Sequence, residues 1–485
     1  MKEPRPYQLD LERRLLEAWA RGMRRLLLQL PTGGGKTRCA GLLVNSAVHN
    51  RRPVLFAAHR EELITQAKRA FIEDCGVPEQ EIGIILSGWQ ERRSALVQIG
   101  SVQTLAKRQL PPADLLFIDE AHRIGSQYQR LFDHYEEKTI IGMTATPERL
   151  SGEPLRDHYD EMIQGPKSSE LVAMGFLSDP EIWSKEAPSL EDVGVADGDF
   201  EEASLEGEMM SPRLVGQIVP HYELRGGGHR AFVFAVTVRH AQQIAYAFQA
   251  RGHAAAVLSG ETGRAERREM LEAFARGDVR ILVSVGVLLE GVDCPAAKVA
   301  IWARPTMSVT VYLQGTGRIL RPWGGVTPVL LDHAGNVERL GMPLKDRPWS
   351  LDGFAKKGGG EGLTKDCPSC GKEAACGKRI CDGCGNVFSE KPGEPIEGEE
   401  QLVRHVILTP EDEYRQTFVR HWAMAKKRGY KPGYVYVQVT KETGKAPPKE
   451  WLDAVAKDSV RDVGWKKAIA LRYVIMRKMK KGKKS

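Results

Sequence analysis

The sequence predicts an α/β protein of two tandem, doubly wound parallel-sheet domains, followed by a small zinc ribbon and a basic C-terminal domain. Three observations carry that prediction. Short apolar runs alternate with helix-length polar stretches in two separate series; cysteines crowd into one short window; positive charge gathers at the C-terminal end.

In the first series the strand candidates are Leu26–Leu30, Val54–Ala58, Val97–Ser101, Leu115–Asp119 and Ile140–Thr144. The segments between them are long enough for crossover helices, so the strands should lie parallel. A second series comprises Ala231–Val236, Ala254–Leu258, Arg280–Val285, Val299–Ala303 and Val326–Leu331, with helical patterns at Arg239–Ala250 and Arg264–Ala275. These series set the domains at 1–165 and 229–350. Residues 166–228 read as a connector, because Leu190 to Glu208 carries eight acids, no base and little periodicity, the pattern of a solvated segment. Residues 351–365 and 389–401 read as linkers on their Gly, Lys, Pro and Glu content, leaving 366–388 for the ribbon and 402–485 for the basic domain.

Composition excludes several classes. Apolar residues make up 42% and charged residues 27%, ordinary for a globular chain and unlike collagenous or disordered sequences. No apolar run approaches the roughly 20 residues of a membrane span. The N-terminus is charged from the start and lacks a secretory core, which predicts a cytoplasmic protein. Lys plus Arg exceed Asp plus Glu by 70 − 63 = +7, yet Lys466 to Ser485 alone hold nine cations and no acid, so the rest of the chain is at −2. Such a tail is a common nucleic-acid-binding arm, and equally a solubilising terminus.

Leu26–Leu30 runs directly into Pro31-Thr32-Gly33-Gly34-Gly35-Lys36-Thr37 and then a helical pattern. Glycines let backbone amides approach phosphate oxygens, and a helix N-terminus adds amides and partial positive charge. Lys36 would reach the β- and γ-phosphates and Thr37 would ligate Mg²⁺. The general pattern asks for a glycine where Leu30 stands; the shorter PTGxGKT form is the one present. Leu115–Asp119 supplies the complementary carboxylates, an apolar strand ending in Asp119-Glu120-Ala-His122. Asp119 would hold Mg²⁺, and Glu120 is placed to polarise the attacking water.

With these motifs the chain resembles the superfamily 2 helicases of the Asp-Glu-Ala-His type, and the likeness continues in order along about 340 residues. The resemblance implies two RecA-like domains, ATP and Mg²⁺ as cofactors, and a polynucleotide partner. It assigns adenine recognition to Tyr7 and Gln8, and strand contacts to Arg60, Ser101, Gln103 and Thr104 in the first domain and Gly260 and Arg267 in the second. Thr144-Ala-Thr146 resembles the motif coupling nucleotide state to strand grip. Gly291, Asp293 and Gln314 would complete the nucleotide site, with Arg318 and Arg321 as candidate arginine fingers. Gly315 is a departure, since many relatives carry arginine after that glutamine. Gly100-Ser-Val-Gln103, His122-Arg-Ile-Gly125, Arg304-Pro-Thr306 and Leu331-Asp-His-Ala-Gly-Asn336 are most similar to bacterial RadD-type DNA-repair helicases and related phage-encoded helicases.

Five of eight cysteines fall between Cys367 and Cys384. Cys367-Pro-Ser-Cys370 and Cys381-Asp-Gly-Cys384 are two CxxC knuckles ten residues apart, a spacing that predicts four thiolates around one structural Zn²⁺; a dithiol redox pair is the alternative. Cys376 lacks a knuckle partner. Farther on, Trp422, Tyr430, Tyr434 and Tyr436 interleave with Lys426, Lys427, Arg428 and Lys431, either a stacking surface for single strands or the aromatic core of a small domain, the latter being favoured.

The function these features predict is ATP-driven movement on, unwinding of or remodelling of DNA, single-stranded or forked, in repair, recombination or replication, with protein partners from those processes and no membrane. The alternatives are an RNA helicase, the motor of a restriction or nuclease assembly, and a non-catalytic adaptor; the intact Lys36, Asp119, Glu120, Arg318 and Arg321 argue against the last.

Overall fold

The computed structural model describes residues 2–89, 92, 94–149, 152–184, 188, 190, 193–196, 198–288, 294–353, 364–366, 373–375, 403–405, 414, 417–418, 421–422, 424–425, 432–448 and 451. The chain divides into two compact units, Met1–His405 and Val406–Ser485.

The first unit holds two seven-stranded sheets. Strands β1 (Arg25–Gln29), β2 (Val54–Ala58), β3 (Ile82–Ile85), β4 (Val97–Ser101), β5 (Leu115–Asp119), β6 (Thr139–Thr144) and β7 (Glu161–Gln164) form the first, in the order β3-β4-β2-β5-β6-β1-β7, all parallel. All five residues of β2 have no solvent exposure, as a strand covered by helices on both faces requires. Helices α1 (Pro6–Ala20), α2 (Lys36–His49) and α3 (Glu61–Arg69) contribute Leu11, Leu15, Val44 and Ile64 to one apolar layer. Short α4 (Val102–Leu105) and α5 (Ser126–His134) bury Leu105, Leu131 and Phe132 on the other face. Phe56 of β2 meets Phe71 edge-on at 5.3 Å, and burying each ring contributes roughly 1.5–3 kcal/mol.

After α6 (Ser168–Ala173) the chain forms β8 (Glu181–Ser184), the hairpin β9 (Val195–Ala196) and β10 (Asp199–Phe200), α7 (Glu202–Met209) and α8 (Pro212–Arg225). The second series follows: β11 (Arg230–Phe234), α9 (Val238–Ala250), β12 (Ala255–Leu258), α10 (Arg264–Arg276), β13 (Ile281–Ser284), β14 (Ala297–Trp302), α11 (Val309–Thr316), β15 (Val329–Asp332) and α12 (Asn336–Leu340). Strands β16 (Thr364–Asp366) and β17 (Glu373–Ala375) pair antiparallel, and β18 (Val403–His405) ends the second sheet. That sheet runs β12-β13-β11-β14-β15-β8-β18, parallel except at β18.

Residues 166–228 are therefore more than a connector. β8 pairs in parallel with β15, and α8 packs Val215, Ile218, Val219 and Tyr222 against the second sheet. Three described acids of the stretch expected to be solvated also make contacts with the second domain. Asp199 accepts from the Thr306 hydroxyl and the Met307 amide, each at 2.7 Å. Glu202 lies 3.3 Å from Arg304, and Glu206 accepts from the Thr237 hydroxyl at 2.8 Å. The sequence hid this because the partners of these acids lie from 31 to 108 residues away, and Glu181-Ile-Trp-Ser has one fully buried side chain, Ile182.

The Val406–Ser485 unit contains the helix Pro432–Thr443, whose Val435 and Val439 pack with Phe418 and Ala425 beneath Tyr414, Trp422, Tyr434, Tyr436 and Trp451. The described aromatics of this region thus build a core. Among the described residues no helix is long and apolar enough to cross a membrane.

Candidate active site

Ligands of open parallel sheets bind beyond the carboxyl ends of the strands. In the first sheet β5, β6 and β1 are adjacent, so the segments following them meet at that edge: Asp119–Glu120, Thr144–Thr146 and the Pro31–Thr37 loop. The loop is shaped by its glycines. Gly33 has φ +83° and Gly35, which caps α2, has φ +89°, left-handed values that a side chain resists. A Cβ on Gly35 would also lie 2.7 Å from Gln8 Nε2. Gln8 is anchored by its other atom, Oε1 accepting from the Arg5 amide at 3.0 Å, so its amino group faces the loop. Tyr7 sits beneath: its hydroxyl donates to Gly34 O at 2.6 Å and accepts from Arg5 at 2.8 Å. The Tyr7 ring meets Phe176 edge-on at 5.5 Å, and the Arg5 guanidinium lies 4.3 Å over that Phe176 ring. Tyr7 is thus a buried prop for the loop, and the aromatic face beside it belongs to Phe176, which no local motif signals.

Lys36 donates to Leu30 O at 3.4 Å. Asp119 and Glu120 are both buried. Burial, then the neighbouring Glu120 charge, pushes the Asp119 carboxyl up to about 7 against the pull of Lys36 and the Glu120 amide, which donates to it at 3.0 Å. A cation at this carboxylate reverses that balance. The Asp119 carboxylate and Thr37 hydroxyl are hard oxygen donors of the kind Mg²⁺ takes, so the residues present fit the ion. Glu120 holds φ +49°, a strained value for a non-glycine residue that aims its side chain into the cleft.

The Glu120 side chain is gripped from two sides. Gln314 of α11 donates to Oε2 at 3.1 Å, across 194 residues of sequence. His122 Nδ1 lies 3.4 Å from the same oxygen and 3.0 Å from Thr144 Oγ1. The Thr144 hydroxyl in turn lies 3.0 Å from Thr146 O. Gln314, Glu120, His122 and Thr144–Thr146 thus lie in contact one after another.

The second domain reaches the phosphate loop itself. A Cβ on Gly317, just past α11, would lie 2.5 Å from Thr32 Cγ2, and one on Gly33 would lie 3.8 Å from Arg321 Cγ. Arg318 and Arg321 follow in the turn after α11, not on its surface; Arg318 is buried, and burial and the charge of Arg5 lower the Arg321 guanidinium below its ordinary value. Gly315 has a steric reason: a Cβ there would lie 2.6 Å from Trp302, whose ring stacks on Phe234 at 4.4 Å. Gly291 and Asp293 lie outside the described residues, as do Cys367, Cys370, Cys376, Cys381 and Cys384. Among the described residues no cluster of metal-ligating side chains occurs.

The six candidate strand-contacting residues divide. Ser101 caps α4, its hydroxyl accepting from Thr104 N at 3.1 Å and donating to Thr104 Oγ1 at 2.7 Å, and Gln103 donates to His59 O at 3.1 Å. A Cβ on Gly260 would meet open space. Arg60 and Arg267 instead join the two domains: Arg60 donates to Gly286 O at 3.3 Å and Val287 O at 3.4 Å, and Arg267 pairs with Glu62 at 2.7 Å. Arg264 pairs with Glu61 at 3.1 Å beside it. Burial raises the Glu62 carboxyl, but the hydrogen bonds from Arg267 and its own amide, with the charges of Arg267 and Arg60, outweigh that and leave it below its usual value. Glu61, Glu62 and Arg264 were not singled out from sequence, because charges on helices carry no local sign of their partners.

Residues 1–149 match the family of type III restriction enzyme res subunits, and residues 213–322 match the helicase conserved C-terminal domain. Together the two matches support the reading of the chain as a superfamily 2 helicase. Proteins named as putative ATP-dependent helicases are among those it resembles. A 51.5 kDa protein of a Lactococcus phage is 27% identical over 415 residues, covering 83% of this helicase and 88% of the phage protein. The putative mitochondrial ATP-dependent helicase irc3 of Schizosaccharomyces pombe is 30% identical over 362 residues, covering 70% of this chain. This helicase spans 58% of that yeast protein's length. A fragment of a putative HsdR subunit of a type I restriction enzyme from Vibrio vulnificus shares the fold, with a TM-score of 0.56 at 20% identity over 70% of this chain and 66% of that one.

Proposed function

We propose that this helicase hydrolyses ATP between its two RecA-like domains to move on or remodel DNA. The observation that carries the reading is the contact of one domain's catalytic groups with the other's: Gln314 on Glu120 at 3.1 Å, with Gly317 and Arg321 against the phosphate loop. Lys36 and the loop amides would hold the phosphates, Gln8 the adenine edge, and Thr37 and Asp119 the Mg²⁺, which would neutralise charge on the phosphoryl group. Glu120 would orient the water, held by Gln314 and His122. Arg318 and Arg321 would stabilise the charge that develops at the γ-phosphate, a contribution on the order of 10³–10⁵ in rate. Gly291 and Asp293 belong to the same proposal on their motif alone.

Because the second domain supplies part of the site, hydrolysis depends on closure, and a strand lying across both domains would favour closure. Arg60 and Arg267, now committed to the domain–domain contact, would exchange it for phosphates, with Ser101, Gln103, Thr104 and Gly260 lining the path. The test is ATP turnover with single-stranded DNA, forked DNA, duplex DNA and RNA in turn. Single-stranded or forked DNA should stimulate most; stimulation by RNA alone would reassign the substrate, and turnover indifferent to every oligonucleotide would end the reading. Lys36→Ala should leave DNA binding intact and abolish hydrolysis.

A second reading, the motor of a restriction or nuclease assembly, is favoured by the res-subunit match over residues 1–149 and would require a partner carrying the nuclease. A repair role of the RadD kind rests on the motif likeness, and a cytoplasmic location accords with it. The two CxxC pairs are proposed as a structural Zn²⁺ ribbon. The antiparallel strands β16 and β17 flank Cys367 and Cys370 in sequence, as a knuckle at a hairpin requires. Metal analysis after exhaustive exchange should return about one zinc per chain, since four ligands fill the tetrahedral shell; none at all would remove the ribbon.

A further inference from the structure

We propose that Lys298 is a positioning residue for the arginine turn, its buried ammonium group fixing the backbone between Arg318 and Arg321 so that both guanidinium groups face the phosphate loop. The proposal deepens the reading above and rests on its assignment of those arginines.

Lys298 lies in β14, whose other residues, Ala297, Val299, Ala300, Ile301 and Trp302, are apolar and buried. Its own exposure is 0%. Among the described residues no carboxylate forms an ion pair with it. Burying an ammonium group without one costs several kcal/mol, so an apolar side chain would fill the position at lower cost. What the lysine supplies is a donor. Its Nζ donates to Ile319 O at 3.4 Å and, more closely, to Arg321 O. The carbonyl between them, Leu320 O, accepts from the Ser178 amide at 2.7 Å. All three carbonyls that lead from Arg318 to Arg321 are therefore held, while Ile319 and Leu320 anchor the turn by burial.

The strand geometry explains how a residue of a parallel sheet reaches that turn. Ala297 pairs with Arg230 and Val299 with Ala231, so one step along β11 corresponds to two along β14. Lys298 is the extra residue of a bulge, the local device that re-aims a side chain out of the alternating pattern. The turn it meets follows the C-terminus of α11, where the free carbonyls of a helix end favour a cation. Burial lowers the Lys298 ammonium below its ordinary value, and the carbonyl oxygens offset that cost by solvating the charge.

The test uses the full-length chain with saturating single-stranded DNA. Lys298→Met should lower kcat about 10- to 100-fold, the range expected when catalytic groups shift by up to 1 Å, with KM for ATP and the DNA Kd within about threefold of the parent. In an Arg318→Ala/Arg321→Ala background the same substitution should lower the residual kcat by less than about twofold, because a residue that acts through the turn then has neither guanidinium group left to position. Parental kcat in Lys298→Met, or its full loss repeated in the Arg318→Ala/Arg321→Ala background, overturns the proposal. If the methionine variant does not fold, Lys298→Arg and Lys298→Gln decide: the charged donor must retain the higher kcat, and the reverse order overturns it. A parent chain without ATP turnover removes both this proposal and the site reading; parental turnover in Lys298→Met removes Lys298 alone.

Discussion

Gly317→Ala tests whether the two domains must touch for catalysis. Gly317 has φ −58° and ψ −16°, so alanine fits its backbone and the effect is steric. The new Cβ would lie 2.5 Å from Thr32 Cγ2 and 2.6 Å from Thr32 Cβ. Carbon atoms in good contact are about 3.5–4.0 Å apart, so the phosphate loop and the arginine turn must separate by about 1 Å. A misplacement of that size lowers kcat about 10²-fold, or roughly 2.7 kcal/mol of transition-state stabilisation. The overlap with Thr32 is between domains, and opening the cleft relieves it; a further contact, 2.9 Å to Leu313 O, lies within the second domain and must be relieved by a small shift at the end of α11. Thermal unfolding should therefore fall only modestly while DNA-stimulated ATP turnover collapses. Parental kcat in a well-folded Gly317→Ala chain would show that the loop and the turn are apart during turnover, and the proposed division of labour would fail.

Two further outcomes follow from the charges. Glu62→Gln frees Arg267 and Arg60 from a carboxylate and should tighten nucleotide-free binding of single-stranded DNA by up to about fivefold, the equivalent of about 1 kcal/mol; weaker binding in a salt titration would count against a strand path at that rim. His240 is buried and takes the Val236 amide on Nδ1 at 3.3 Å; burial, opposed by Glu206, lowers its pKa from 6.5 to about 4. Its folded pKa is depressed, so the neutral ring's contribution is fully present above pH 6.5 and is lost as pH falls from 6.5 towards 4, by about 3 kcal/mol at most. Denaturant unfolding of His240→Asn should show a shallower decline over that window, and an unchanged decline would refute the assignment.

Central strands were legible from sequence because their runs are mainly apolar and buried on both faces; β2, β4 and β5 match their expected limits, β4 even with the polar Gln98 and Ser101 in it. Three short strands were not: Ile82–Ile85 and Glu161–Gln164 at the two edges of the first sheet, and Glu181–Ser184 between β15 and β18 of the second, are four residues each, and their strand character comes from the neighbours they pair with. The phosphate loop and the Asp119–Glu120 pair were legible because their chemistry is local. The grip of Gln314 on Glu120 spans 194 residues, and Tyr7 as prop rather than open stacking face depends on a Gly34 carbonyl 27 residues away. Lys298 fell outside the expected strand Val299–Ala303, and its meaning required the bulge and the turn it faces.

The stack of Trp302 on Phe234 leaves no room for a side chain at Gly315, and the same indole donates to the Thr316 hydroxyl at 3.1 Å. The hydrophobic interior of the second domain thus sets the pitch of the very helix end that carries the finger turn. Substitutions such as Trp302→Phe, ordinarily weighed as questions of folding, would then register first as changes in stroke rate, and the motor's timing would be tunable from a residue that never meets nucleotide or strand.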